Sequence, residues 1–393
     1  MKSSSRAKRL IITCMMKGND YMPHIDKQMV SFFLTTKCNL KCVYCYNSAE
    51  RDATQQSLSL EIAKAGIDYF FANNTSRHIR FYGPGEPTQE FELMCEITNY
   101  ARSKTGKNLT SEIQTNGVFG HKIREWMLNN INIIWVSFDG EPEIHDANRP
   151  CANGKPSSPI IENNVQWLID NSNARNLMVG ARVTMTNKNL SRQKEIINYF
   201  HSLGIRNIWT DPLFPAVDNI PVCLDQIKKD EFSFNMDKYI DNYLEALTYA
   251  KTLNVQYGSF LACNFDGITN YHCRTCTPVP HITPDGYLSA CDMVTLGENA
   301  YHMSCFVYGK WNSETNEFDF YEDKIMKLQK RSAENMQHCM KCRARLQCGG
   351  YCLGEVVNET GDLLGQKPQV CKGVCRLYDE LQPPISQFEY THP

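Results

Sequence analysis

The chain has 393 residues, 42% of them hydrophobic, with 41 Lys and Arg against 43 Asp and Glu and a formal net charge of −2. That length and apolar content suffice for a large core or two domains. The near-neutral charge excludes a basic stripe tracking nucleic acid or a polybasic membrane patch, and no run approaches the ~18–20 apolar residues that span a bilayer. The first residues, Lys2 to Arg9 and then Leu10 to Met16, faintly resemble a signal peptide. The apolar part is short and runs into Lys17-Gly18-Asn19-Asp20 without a small-residue cleavage site, so a cytoplasmic chain is expected.

In chain order, Val30–Thr35 reads as a β-rich run and Leu60–Asn73 as an amphipathic helix. Arg77–Tyr82 is extended, Phe91–Ser103 helical, Ser111–Thr115 extended and Lys122–Asn129 helical. Ile133–Phe138 reads as a buried strand, Ile160–Asn171 as a helix, Leu177–Met185 as a strand, Asn189–Leu203 as a helix and Ile205–Thr210 as a strand. Strands alternating with helices imply right-handed βαβ units, hence an α/β fold with a parallel sheet or a partial (β/α)6 barrel of TIM type. Phe234–Leu253 reads as a longer helix linking two domains, and beyond residue 255 the texture turns to Cys, Gly and polar residues with a hairpin candidate at His281–Ala290. The expected organisation is an N-terminal extension (1–28), a partial barrel (29–232), a linking helix (233–254) and a Cys-rich domain (255–393).

The 18 cysteines are unevenly spread. Cys38, Cys42 and Cys45 share one loop, and a second group runs from Cys273 to Cys375. A disulfide framework suits small secreted domains, whereas close spacing in a reducing compartment suggests metal. Cys14, Cys95, Cys151, Cys223 and Cys305 read as ordinary thiols. In parallel α/β barrels, chemistry sits on loops following the strands. Here those loops are Lys37–Asn47, Gly83-Pro84-Gly85-Glu86-Pro87, Thr115-Asn116-Gly117 and Ser137-Phe138-Asp139-Gly140, four unusual loops on one rim. Three thiolates in Cys38-x3-Cys42-x2-Cys45 are one short of closing a tetrahedral zinc site or capping every iron of a 4Fe–4S cube. The missing ligand leaves a catalytic opening; the bland alternative is a zinc loop completed by a distant His.

This loop resembles that of the radical S-adenosylmethionine (SAM) superfamily, whose hallmark is CxxxCxxC after the first barrel strand. The resemblance implies that SAM chelates the open iron and is cleaved reductively to a 5′-deoxyadenosyl radical that abstracts hydrogen. It further implies SAM contacts from Tyr44, Gly85, Glu86, Ser137, Asp139, Arg149 and Leu213. Glu86 would receive the SAM ammonium, Arg149 would pair with its carboxylate, and Leu213 would pack on adenine. Pro84 departs from the family's GGEP loop, and Gly85 is the preferred backbone contact. Cys276-x14-Cys291 followed by Cys339-x2-Cys342-x5-Cys348-x3-Cys352 and Cys371 resembles the SPASM extension, which holds two auxiliary 4Fe–4S clusters. Carried over, Cys273, Cys276, Cys291 and Cys352 bind one, with Cys263 a rival to Cys273. Cys339, Cys342, Cys348 and Cys371 bind the other, with Cys375 a substitute for Cys371.

Asp292, directly after Cys291, falls where sulfatase-maturing relatives keep a proton acceptor, and a structural acid capping a turn is an equal alternative. The resemblance implies three 4Fe–4S clusters, SAM, a peptide or protein substrate, and a flavodoxin, ferredoxin or reductase as electron donor. Peptide maturation by crosslinking, oxidation or epimerisation is the leading expectation. An anaerobic sulfatase-maturating enzyme is second, disfavoured by Leu353-Gly354-Glu355 after Cys352. A non-catalytic iron–sulfur electron-transfer or scaffold protein is the alternative of another class.

Overall fold

The computed structural model describes residues 28–47, 55–172, 177–214, 234–298 and 300–383. The N-terminal extension, Cys14 and Cys223 therefore lie outside the described residues. Seven strands, β1 (Val30–Phe33), β2 (His78–Tyr82), β3 (Thr110–Thr115), β4 (Ile133–Ser137), β5 (Met178–Met185), β6 (Asn207–Pro212) and β7 (Gln256–Ser259), pair in parallel in that order. Helices α1 (Leu60–Asn73), α2 (Phe91–Thr105), α3 (His121–Asn130), α4 (Pro142–Asn148), α5 (Ser158–Ser172), α6 (Gln193–Ser202) and α7 (Met236–Thr252) lie between them. Helix α1 starts where its sequence says it should. The Ser59 hydroxyl accepts from the Ile62 amide at 3.2 Å, and Ile62, Ala63, Ile67 and Phe70 then recur on one buried stripe.

Side chains of a strand alternate between faces. One face of this sheet is apolar, with Phe32, Ile79, Phe81, Ile113, Ile134, Val136, Ala181, Val183 and Ile208 joining the helices in a single core. The other face carries Arg80, Tyr82, Glu112, Gln114, Arg182 and Asp211. This polar face is where the chemistry is collected.

Two sequence expectations are corrected by topology. Helix α7 is not only a link between domains. It is the crossover from β6 to β7, a strand the sequence reading did not anticipate, and the buried Tyr239 hydroxyl bonds Thr210 of β6 and Ser259 of β7, each at 2.7 Å. The Cys-rich segment is not separate from the sheet either. Its strand β8 (His281–Ile282) pairs in parallel with β1, and β9 (Tyr287–Ser289), β10 (Val307–Asn312) and β11 (Glu317–Phe320) continue antiparallel to give one 11-stranded sheet. Helices α8 (Glu322–Gln329), α9 (Leu353–Thr360) and α10 (Pro368–Leu381) follow, with a single helical turn at Arg345–Cys348 between the first two.

Candidate active site

The loop after β1 is held by its neighbours rather than by itself. The Gly85 amide donates to the Thr35 carbonyl at 3.0 Å and the Glu86 amide to the Lys37 carbonyl at 2.8 Å. A Cβ on Gly85 would lie 2.1 Å from the Lys37 oxygen, so only glycine lets the two loops approach this closely. On the other side, Asn116 Nδ2 donates to Asn39 Oδ1 at 2.7 Å and reaches Cys38 Sγ at 3.8 Å. The amides of Lys41 and Val43 donate to the carbonyls of Pro150 and Asn148, each at 2.9 Å. The loops after β1, β2 and β3 and the segment at the end of α4 thus converge around Cys38, Cys42 and Cys45. Burial pushes the Cys42 thiol up to about 12, with the Cys45 and Cys38 thiols adding to the rise against the pull of Arg149. A metal binding here must displace that proton.

Beneath the cysteines sits a closed polar group. Asp139 is 0% exposed and accepts from the Tyr44 hydroxyl, Asn148 Nδ2 (3.1 Å), Arg149 Nε (3.2 Å) and the Thr184 amide (3.2 Å). Burial raises its pKa, but Arg149, His145 and the hydrogen bonds from Tyr44 and Asn148 together outweigh that and leave it below the ordinary carboxylate value. His145 is driven down to about 4 by burial and stays neutral, its Nδ1 accepting the Asp139 amide at 3.2 Å. Arg149 also donates to Thr184 Oγ1 at 3.1 Å and lies 5.2 Å from the Tyr44 ring centroid. Tyr44, Asp139 and Arg149, three expected SAM-contact residues, therefore hold one another. Ser137 stands half-buried at the end of β4, and Leu213 follows β6 with its amide on the Met185 carbonyl at 3.2 Å.

Glu86 departs from the expectation of a carboxylate open to an ammonium. It is 2% exposed, and its oxygens accept from the Thr88 amide (3.1 Å), Thr88 Oγ1 (2.8 Å), Thr115 Oγ1 (2.6 Å) and the Asn116 amide (2.7 Å). It fastens the loop after β2 to the loop after β3. Glu86→Ala is expected to orphan buried donors at Thr115 and Asn116, costing about 1–3 kcal/mol. Anaerobic melting curves and SAM titrations on one preparation should show a lower Tm and weaker SAM binding at unchanged iron content.

Asp292 lies across the polar face. Arg80 Nη1 donates to both of its carboxylate oxygens at 3.0 Å, and His281 Nδ1 stands 3.3 Å away. Burial would raise the Asp292 pKa, but Arg80, His281 and Arg274 overcome it and hold the carboxyl well below the usual range. A raised pKa suited to proton abstraction is therefore not what this environment produces. Its side chain keeps 35% exposure, and the ion pair continues to Glu112, 3.7 Å from Arg80 Nε. Arg182 forks onto Asp211 at 2.9 and 3.0 Å and reaches Gln114 at 2.8 Å. Sequence reasoning passed over this group. Its signal was the alternation of polar residues in strands otherwise typical of a buried parallel sheet, His78-x-Arg80-x-Tyr82, Glu112-x-Gln114, Arg182-x-Thr184 and Trp209-x-Asp211.

No disulfide joins the C-terminal cysteines. The Cys273 thiol bears electrostatically on Cys263, Cys276, Cys291 and Cys352, which gathers the first expected ligand set together with the rival Cys263. The second set, Cys339, Cys342, Cys348 and Cys371, lines a cavity of about 410 Å³ with Cys375, whose Sγ is 3.5 Å from that of Cys342. Five thiols thus line one cavity, a donor set whose chemistry fits thiolate ligation of an iron–sulfur cluster. Among the described residues no three His, Cys, Asp or Glu side chains converge on one point as a single bound ion demands.

Comparison with known proteins agrees with this arrangement. Residues 32–220 match the model of the radical SAM superfamily. An uncharacterized protein of Methanocaldococcus jannaschii is 32% identical over 185 residues, a match spanning 46% of this chain and 61% of that protein. The radical SAM cyclopropyl synthase TigE of Paramaledivibacter caminithermalis is 22% identical, with 89% of this chain and 72% of that protein covered. The cysteine-type anaerobic sulfatase-maturating enzyme of Clostridium perfringens is 22% identical over 80% of this chain and 85% of its own. The solved structure of native anSMEcpe with bound AdoMet and Kp18Cys peptide shares the fold at a TM-score of 0.65 and 16% identity, over 90% of this chain and 98% of that one. Residues 32–220 thus carry the match to the radical SAM superfamily, and the fold shared with the solved structure continues into the Cys-rich C-terminal region. A radical SAM domain implies a 4Fe–4S cluster and SAM. No described helix is long and apolar enough to cross a membrane.

Proposed function

We propose that this protein modifies a peptide or protein side chain by radical chemistry, with Cys38, Cys42 and Cys45 holding the SAM-binding cluster and the C-terminal cysteines holding two auxiliary clusters. One observation carries the reading. The loop after Cys45 and the segment after Cys291 are directly joined, Tyr46 Oη to the Asp292 carbonyl at 3.5 Å and Thr295 Oγ1 to Asn47 Oδ1 at 3.2 Å. The first cysteine loop and the segment that follows Cys291 are thus in direct contact. The bound cluster and SAM would supply the hydrogen-abstracting radical. The chain's own residues then orient and shield. The Tyr44–Asp139–Arg149 group fixes the underside of the cysteine loop, while Arg80, Arg182 and Tyr82 present paired charges and hydroxyls to a substrate backbone or side chain. Cys291, next to Asp292 in the chain, is among the residues that would hold an auxiliary cluster, and such a group would supply the electron acceptor that an oxidative crosslink requires. Transfer of that electron onward calls for a flavodoxin-, ferredoxin- or reductase-type partner.

The length of the match to the sulfatase-maturating enzyme supports a second reading, oxidation of a Cys or Ser side chain to an aldehyde. The Arg80–Asp292 pair weighs against it, because the acid is held as a weak base. The deciding assay supplies reduced protein, SAM and peptides of both kinds, a Cys-, Tyr- or Gly-rich precursor and a sulfatase-derived Cys peptide. The expected result is 5′-deoxyadenosine formed together with modified precursor, either lighter by two hydrogens or of unchanged mass with solvent deuterium incorporated. Aldehyde on the sulfatase peptide alone selects the second reading, and 5′-deoxyadenosine with no peptide modified overturns both. In the same assay Asp292→Asn is expected to keep SAM cleavage and to lose less product than the roughly hundred-fold minimum for removing a general base.

A further inference from the structure

Arg331 is a buried cation without a carboxylate. It is 2% exposed, follows α8, and among the described residues has no Asp or Glu within ion-pairing distance. Its Nη2 donates to the Gly350 carbonyl at 2.8 Å, while Nη1 is buried with no hydrogen-bond partner in the protein. Gly350 lies between Cys348 of one expected ligand set and Cys352 of the other, at φ +90°, and lines the five-cysteine cavity. A Cβ there would lie 2.1 Å from Met336 Cε and 3.3 Å from Arg331 Nη1, so the guanidinium is packed directly onto this turn. The thiols of Cys276 and Cys273 in one set and of Cys339 and Cys348 in the other bear electrostatically on its charge.

An unpaired guanidinium is expensive to bury, and arginine does not escape by losing its proton. Neutral thiols offer it little compensation. Thiolates bound to iron carry the opposite charge and supply sulfur acceptors, so the loaded protein satisfies what the chain alone leaves open. We propose that Arg331 is the shared counter-cation of the two auxiliary clusters, with Nη1 donating to a cluster-bound sulfur and its charge favouring the reduced state of both. This rests on the reading that both C-terminal cysteine sets hold clusters. The alternative is that Arg331 merely braces the Gly350 turn.

Reduction potentials separate the two. The parent is the full-length Cys38/Cys42/Cys45→Ala protein, in which the auxiliary clusters are the only paramagnets, titrated potentiometrically by electron paramagnetic resonance. Arg331→Gln is expected to lower both midpoints, the reduced-to-oxidised ratio at a fixed potential falling about ten-fold, or about 59 mV for one electron. Arg331→Lys, which keeps the charge, should recover most of that. A loaded Gln variant with both potentials unmoved, or an equal drop in the Lys variant, overturns the proposal. If neither variant retains iron, the parent labelled with ¹⁵N-arginine decides: hyperfine coupling of arginine nitrogen to a reduced auxiliary cluster supports it, and its absence overturns it. A parent holding no iron at all would instead overturn the auxiliary-cluster reading itself.

Discussion

Replacing Cys38, Cys42 and Cys45 together with alanine is expected to remove about four of about twelve irons and to abolish SAM cleavage. The three thiols share one loop, and that loop is stitched to the loop after β2 and to the segment at the end of α4 through main-chain atoms of Thr35, Lys37, Lys41 and Val43. The barrel should therefore survive their loss, and the remaining irons should stay with the C-terminal set. Iron and sulfide analysis alongside 5′-deoxyadenosine chromatography makes the check. Retained cleavage would remove this loop from the chemistry, and a total near four irons in the unmodified protein would remove the auxiliary clusters.

Asp139→Ala should carry the largest stability cost of any single change at the site. It strips Arg149 of its carboxylate in a place where neither side chain reaches water freely, and breaking a buried pair from one side costs about 3–5 kcal/mol. The Tyr44 hydroxyl, Asn148 and the Thr184 amide lose an acceptor at the same time. Denaturation midpoints under anaerobic conditions should drop sharply, and the Cys42 loop should lose iron because Tyr44 no longer anchors it. The pH response has a definite sign. Buried His145, at about 4, refuses a proton that the unfolded ring accepts at about 6.5, so stability should fall as the pH drops from about 6.5 towards 4. The depressed Asp139 contributes fully above the unfolded carboxylate value of about 3.9 and is lost as the pH falls below it towards the folded value. A melting temperature flat between pH 5 and 7 would contradict the burial of His145.

The alternating pattern made most of the fold legible before any coordinates. Helix Leu60–Asn73 has the bounds its apolar stripe predicts, because a capping serine and a polar flank mark both ends. Strand β7 escaped because Gln256-Tyr257-Gly258-Ser259 carries almost no apolar signal; its place is set by Trp209, whose ring lies over Gly258 from the neighbouring strand, and by hydroxyls reaching it from α7. At the site, the cysteine spacing and the rim loops were readable because they are contiguous in sequence. The work of Glu86 was not, since its four donors come from Thr88, Thr115 and Asn116 and only folding brings them together on one carboxylate. The setting of Asp292 was not legible for the same reason, its partner Arg80 lying 212 positions earlier in the chain.

The pairing of β8 with β1 has a consequence for how the protein is made. Strand β1, which leads straight into the first cysteine loop, leaves the ribosome early, yet one of its two hydrogen-bonding edges is filled only by His281 and Ile282. Until those residues have been synthesised, the nascent chain exposes an apolar strand edge beside three reactive thiols, an invitation to wrong pairing. Contacts this distant form slowly. Closure of this edge of β1 therefore waits for His281 and Ile282, which pair with Ser31 and Phe32.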